Sequence, residues 1–316
     1  MTAPRRRHYL DHLLEHGAFA FSRLEITGID NTPVIDHFGP QMVREETCLF
    51  HRSVVDGDAY VHRLHDFVHQ RIGSGQPGPV VRFADGEYAF YRGSLDCNGL
   101  YRQADSAAGI ARAIPFHIAA LKTLSADGLA APLVFPGNCA TRPSWPLSVI
   151  RRRGNDGARV FLDFVNTHTI ALSADNYVPF YAVYAFLTST GFARMVDGKH
   201  VCLINADWDE TACQRFFTRQ GARPQLSFAA IPNALVAVHW PEMKDAVLAA
   251  VPDDADIYLV GAGVGALPVC VDLAARVSRP VIDAGHVVNM MNGMEAKSNG
   301  MRMYTLHRDT LDGDRS

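Results

Sequence analysis

Two carboxylates flank a glycine at Asp85-Gly86-Glu87, directly after the apolar run Val80-Val81-Arg82-Phe83. An apolar run bounded by turn residues is the pattern of a fully buried parallel strand. In extended geometry residues two apart leave the same face, so Asp85 and Glu87 would project together. Gly86 between them would let the backbone turn sharply. Converging carboxylate oxygens suit a hard divalent cation such as Mg²⁺ or Mn²⁺. The same residues also suit a strand-end turn with solvated acids.

A second cluster, Asp283-Ala284-Gly285-His286, follows the apolar run Pro280-Val281-Ile282. Both clusters then leave the C-terminal ends of strands, where open α/β sheets bind ligands. A carboxylate pair plus the imidazole of His286 gives a donor set compatible with Mn²⁺ and less typical of Mg²⁺. A lone histidine also fits a helix cap or the core. A third feature is Gly261-Ala262-Gly263-Val264-Gly265-Ala266, placed after a strand-like run and before a helix-like one. Glycines there let backbone approach a pyrophosphate, and a helix N-terminus favours its charge. Asp283 follows about 20 residues later, where a ribose-binding acid would sit. Against a hydride-transfer enzyme stands the late position of this turn, with only residues 284–316 beyond that acid.

The elements that must position these groups read as follows. Residues 56–72 form a helix with Tyr60, Leu64, Phe67 and Val68 on one side, and His62, His65 and His69 share another face. That histidine face reads as solvated. Residues 80–83 form a strand, with a helix-like stretch from Glu87 to Tyr91 and a helix over 103–124, in which Pro115 implies a kink or break. Leu133 to Pro136 reads as a strand, Arg159 to Val165 as the next apolar segment, and Tyr177 to Thr190 as an aromatic-rich helix packed in the core. Strands over 200–205, 226–232, 256–260 and 280–283 then alternate with helices over 211–220, 241–251 and 267–277. Such βαβα order implies an α/β fold with a mainly parallel sheet and helices on both faces. Residues 1–55 read as a small N-terminal extension, and 56–316 as one catalytic domain.

Composition bounds the rest. The chain has 316 residues, 48% hydrophobic, which suffices for a large core. The net charge of −3 supplies no basic field for nucleic acid. The clusters Arg5-Arg6-Arg7 and Arg151-Arg152-Arg153 are short and read as solvated faces. Six cysteines without a C-x-x-C pair read as reduced core residues. No apolar leader or membrane-length run is present, which points to a cytoplasmic protein, with a homo-oligomer allowed.

The segment Arg82-Phe83-Ala84-Asp85-Gly86-Glu87 resembles the R-F-G-D-G-E segment of glycosyltransferases with the GT-D fold, whose signature is a metal-linked DxE motif. Ile231-Pro232-Asn233-Ala234, the strand and glycine turn over 257–263, and Asp283-Ala284-Gly285-His286 resemble further segments of that family in the same order. The resemblance spans about residues 60–290 and implies a Rossmann-like, GT-D type fold. It implies transfer from a nucleotide-sugar, a UDP-sugar first, to an acceptor such as a protein, glycan, lipid-linked sugar or small molecule. By the same analogy Asp85 and Glu87 hold the cation or donor diphosphate, and His286 completes the metal site. Arg82 orients a diphosphate or carboxylate. Gly261, Gly263 and Gly285 lie near the nucleotide, and Asp283 binds a ribose or sugar hydroxyl. Glu87, Asp283 and Asp163 are candidates for a general base. The acidic loop Asn205-Ala206-Asp207-Trp208-Asp209-Glu210 and the segment Val287 to Asn292 depart from the family. Two other functions stay open: an NAD(P)-dependent oxidoreductase built on the 261–266 turn, and a non-catalytic nucleotide- or sugar-binding protein.

Overall fold

The apolar runs become strands wherever both faces are covered. The computed structural model describes residues 7–34, 47–140 and 155–294, so the basic residues Arg5, Arg6 and Arg151 to Arg153 lie outside the described part. In chain order the elements are α1 (Tyr9–Glu15), β1 (Phe19–Arg23), β2 (Thr47–His51), α2 (Gly57–Ser74), β3 (Gly78–Phe83), α3 (Asp85–Tyr91), α4 (Ala107–Asp127) and β4 (Leu129–Pro132). They continue with α5 (Gly157–Thr167), α6 (Phe180–Leu187), α7 (Thr190–Val196), β5 (His200–Asn205), α8 (Glu210–Arg219) and β6 (Gln225–Ala230). The last are α9 (Val236–Ala250), β7 (Ile257–Val260), α10 (Ala266–Val277), β8 (Pro280–Asp283) and α11 (His286–Met291).

Six strands form one parallel sheet in the order β4-β3-β8-β7-β5-β6. Every residue of β3, β7 and β8 is buried, which requires cover on both faces and explains their unbroken apolar runs. The edge strand β6 is largely open and correspondingly mixed in composition. Helix α10 packs on β8 and β3 and against α4, while α2 and α6 pack on β3. Side-chain caps set several starts: Asp56 accepts from the Ala59 N–H, Ser106 from Gly109 and Asp209 from Ala212. All six cysteines are buried and free. No helix among the described residues is long and apolar enough to cross a membrane.

Two local expectations change and one segment left open is assigned. The run 159–165 lies in α5, where Ala158, Phe161, Leu162 and Val165 are buried at helical spacing; a short apolar run does not distinguish strand from buried helix. The strand expected over 133–136 lies at 129–132, because β4 pairs with β3 from Val80↔Leu129 to Phe83↔Pro132 and its partner ends there. Helix α4 passes through Pro115 without a break. The carbonyl that Pro115 leaves without an N–H belongs to Ala111, which is exposed and meets water.

The described part of residues 1–55 is joined to the core at many points. Leu10 and Phe19 are fully buried. The Tyr9 N–H donates to Asp163 Oδ1 at 2.7 Å, and Arg159 donates to Asp11. Strands β1 and β2 pair antiparallel, and the Leu49 N–H donates to the Val134 carbonyl at 2.9 Å. On the same side the fully buried Tyr177 hydroxyl donates to the Leu49 carbonyl. Tyr177→Phe leaves that carbonyl buried and without a partner. It should cost about 1–3 kcal/mol in urea denaturation, and an unchanged midpoint would show that this hydroxyl does not tie the hairpin to the core.

Candidate functional site

Strand β3 ends at Phe83, Ala84 is extended, and α3 begins at Asp85. The expectation that Asp85 and Glu87 project together from an extended chain is therefore corrected. Both lie in the first turn of a helix, where residues two apart point about 200° apart. Asp85 is exposed at the wall of a cavity. Glu87 turns back and accepts the Ala84 N–H at 2.8 Å, capping its own helix. Gly86 is helical, so no sharp turn depends on it. Burial raises the Asp85 pKa and pushes the Glu87 carboxyl up to about 7 against the opposing Ala84 hydrogen bond.

Arg82 and Asp283 form a buried ion pair across the neighbouring strands β3 and β8. Arg82 Nη2 donates to Asp283 Oδ1 at 2.8 Å, the Arg82 backbone N–H donates to Oδ2 at 3.1 Å, and Nε donates to the Asp283 carbonyl at 2.8 Å. The guanidinium lies 5.1 Å from the Phe180 ring centre and 4.6 Å from that of Tyr184. Burial disfavours the arginine charge, but Asp283 and Tyr184 outweigh it and hold the guanidinium protonated more firmly than usual. Gly285 has φ +47°, and a Cβ there would lie 1.8 Å from Arg82 Nη2, so only glycine fits beside the pair.

One cavity of about 590 Å³ opens at this C-terminal edge of the sheet. It is lined by Arg82, Asp85, Glu87 and Asp283, and also by Gly261, Gly263, Gly285 and His286. The structure thus brings every residue singled out at 82–87, 261–263 and 283–286 to one place. Asp163 is not among them: it is tied to His8 and Tyr9 where α1 meets α5. His65 and His69 stack with centroids 6.1 Å apart on α2. Among the described residues no group of three His, Cys, Asp or Glu is arranged to hold a metal ion.

His286 opens α11 with Nδ1 buried and without a hydrogen-bond partner. Burial, helped by Arg82, lowers its pKa to about 4, so the imidazole is neutral near pH 7 and can donate a lone pair. The Glu87 and Asp283 carboxylates already accept hydrogen bonds, which leaves Asp85 and His286 as the available donors. That mixed oxygen and nitrogen set suits Mn²⁺ better than Mg²⁺, with the remaining ligands coming from water and phosphate oxygens rather than from an all-protein cage.

The glycine turn is filled from within the protein. The Gly261 N–H donates to the Ile204 carbonyl, Gly265 to Ala262, and Val264 to the Gln103 side chain. Gly263, with φ +53°, admits the Gln103 amide, and Gly261 faces the Asn205 amide. These donors are spent before a pyrophosphate arrives, and Asp283, the expected ribose acid, is held by Arg82. Both parts of the hydride-transfer reading are thereby occupied.

Sequence reasoning did not assign the lining residues Gln103, Tyr184 and Asn289 to the site. The Phe180/Tyr184 pair at i,i+4 was the available signal, since a strand-buried arginine needs cover. The divergent 205–210 loop is anchored rather than loose: Asn292 accepts the Asp209 N–H at 2.7 Å and donates to the Asp207 carbonyl, while Trp208 stacks on Phe228.

Arg82→Ala strands a buried carboxylate and should destabilise the protein by about 3–5 kcal/mol, whereas Arg82→Met combined with Asp283→Leu should recover most of the loss. Equal loss in both would show that the pair is not the source. Glu87 gives a pH signature. The folded state holds its proton more tightly than the unfolded chain, so its stabilisation is complete below pH 4.5 and is lost as pH rises through about 7. Glu87→Gln keeps an acceptor for Ala84 and removes the titration. Its stability relative to the parent protein should therefore rise by up to roughly 3 kcal/mol across that range, less where cavity water reaches the carboxylate. A pH-independent difference would refute this.

No curated protein matches the chain. Among solved structures, a selenomethionine-substituted domain of unknown function 1792 is similar at 15% identity and TM-score 0.47, over 78% of this chain and 86% of that one. A structure described as the highly conserved domain of unknown function 1792 with a distinct glycosyltransferase fold gives 16% identity and TM-score 0.46, over the same 78% and 86%. One described as a new glycosyltransferase (DUF1792) from Streptococcus sanguinis gives 15% identity and TM-score 0.44, over 75% and 83%. Residues 156–291, which carry β5 to β8 and with them Asp283, Gly285 and His286, match the sequence model of a family described as a GT-D fold-like domain.

Proposed function

We propose that this chain is a glycosyltransferase that moves a sugar from a nucleotide-sugar, a UDP-sugar first, to an acceptor nucleophile, with Mn²⁺ or Mg²⁺ shared between the protein and the donor diphosphate. The observation that carries the reading is the single cavity at the C-terminal strand ends that is lined by Arg82, Asp85 and Glu87, by Gly261 and Gly263, and by Asp283, Gly285 and His286. The GT-D fold-like match over 156–291 supports it.

The charges of the lining support the cation. Among the described residues Arg82 is the one arginine or lysine in the cavity wall, and Asp283 neutralises it. Asp85, Glu87, Asp96 and Asp207 add further carboxylates. A diphosphate entering alone would meet net negative charge. A bound divalent cation would supply Lewis-acid stabilisation of the leaving diphosphate. Asp85, with Nδ1 of His286 near the same wall, would hold it.

In this reading Arg82, Asp283 and Glu87 position rather than react. The ion pair fixes the β3 and β8 ends, Glu87 fixes the first turn of α3, and Asp85 is aimed by both. The cavity wall then orients the anomeric carbon toward the acceptor.

A thermal-shift panel of UDP, other nucleoside diphosphates, their sugars and NAD(P), with and without Mn²⁺, tests this. Ligand at about 100 Kd adds about 2.7 kcal/mol, which is readily seen. The expected outcome is stabilisation by a nucleoside diphosphate or its sugar only with Mn²⁺, lost in Asp85→Asn. Stabilisation by NAD(P) alone, with none by any metal–nucleotide pair, would overturn the reading.

A further inference from the structure

Gln103 is 6% exposed, lines the cavity, and has so far served only to fill the glycine turn. Its backbone is fixed by Asn98, whose Oδ1 accepts from the Gln103 N–H at 2.7 Å and from the Ala104 N–H at 2.9 Å. The neighbouring Arg102 carbonyl accepts the Leu235 N–H at 2.6 Å. The amide itself lies over Gly263, where any Cβ would come within 2.8 Å of Nε2. Its orientation is set by chemistry: the Val264 N–H can only donate, so Oε1 faces it, at 3.1 Å. That leaves Nε2, whose single contact is the Tyr101 carbonyl at 3.4 Å, longer than a well-formed hydrogen bond. A buried primary amide has two N–H groups to place, and here at least one is unspent.

Val264 sits in the 3₁₀ turn Gly263–Gly265, which leads into α10. Backbone N–H groups at such an entrance carry the positive end of the helix. Gln103 Oε1 occupies the position an anion would take there, and the amide passes the polarity on by presenting N–H groups on its other side. We propose that Gln103 is a donor-binding residue: its Nε2 donates to a phosphoryl oxygen of the bound nucleoside diphosphate, relaying the N-terminal field of α10 into a cavity where the described residues offer no uncommitted arginine or lysine. The proposal rests on the glycosyltransferase reading and adds a contact to it.

Gln103→Glu separates binding from support. The carboxylate still accepts the Val264 N–H, so the structural bond is kept, but the donor is gone and a negative charge faces the phosphate. UDP with Mg²⁺, measured by calorimetry, should bind about tenfold more weakly or worse to Gln103→Glu, with the unliganded melting temperature near that of the parent protein. UDP binding equal to the parent's would overturn the role of Gln103 and leave the glycosyltransferase reading standing. Failure of the parent protein itself to bind UDP or any other nucleoside diphosphate with Mg²⁺ or Mn²⁺ would overturn both. Should Gln103→Glu not fold, the parent protein labelled with ¹⁵N-glutamine decides. The Gln103 side-chain amide resonances must move on saturation with UDP and Mg²⁺, and their standing still would refute the contact.

Discussion

The C-terminal edge of the sheet is organised around the buried Arg82–Asp283 pair. Removing two charges from water costs several kcal/mol each, and their attraction offsets this only when the geometry is good and the remaining polar groups are satisfied. Here three hydrogen bonds and two aromatic faces meet that condition. The consequences spread to neighbours in sequence and in space. Gly285 has no alternative residue, α6 must present Phe180 and Tyr184 on one side, and the ends of β3 and β8 are tied together. Asp85 leaves the end of one of these strands and His286 follows the other.

A division of labour follows from which polar atoms are already engaged. Glu87 caps α3, Asp283 holds Arg82, and the N–H groups of Gly261, Val264 and Gly265 bond within the protein. Asp85 stands exposed at the cavity wall, and the buried Nδ1 of His286, another lining residue, has no hydrogen-bond partner. The residues of one motif thus do not share one role: some build the wall, and their neighbours two or three positions away open into the cavity. The aromatic helix α6 is similar, since its side chains fill the core and also shield a charge.

Much of this was legible from the amino-acid order. The buried strands 80–83, 257–260 and 280–283 announce themselves by unbroken apolar runs, and the parallel sheet follows from their alternation with helices. Asp85, Asp283 and His286 could be named because each lies at the end of such a run or within three residues of it. What could not be read was conformation at the junctions. Whether Asp85-Gly86-Glu87 is extended or helical decides if the two acids converge, and a glycine leaves both open. The purpose of Gly263 was hidden as well, because the group that fills its missing side-chain space, Gln103, sits 160 positions earlier. The segment 159–165 was ambiguous for a simpler reason, its apolar run being too short to show a period.

The position of β8 has a consequence for how the protein is made. It lies between β3 and β7, and Arg82 waits for a carboxylate 201 positions further along the chain. During synthesis β4 can join β3, and β7 can join β5 and β6, yet the two halves have no shared strand until Pro280–Asp283 emerges. Until then two apolar strand edges stand open and an arginine is without its counter-charge. Closing such long-range parallel contacts is slow. The cavity, lined from both halves, is therefore complete only once these four residues lie between β3 and β7.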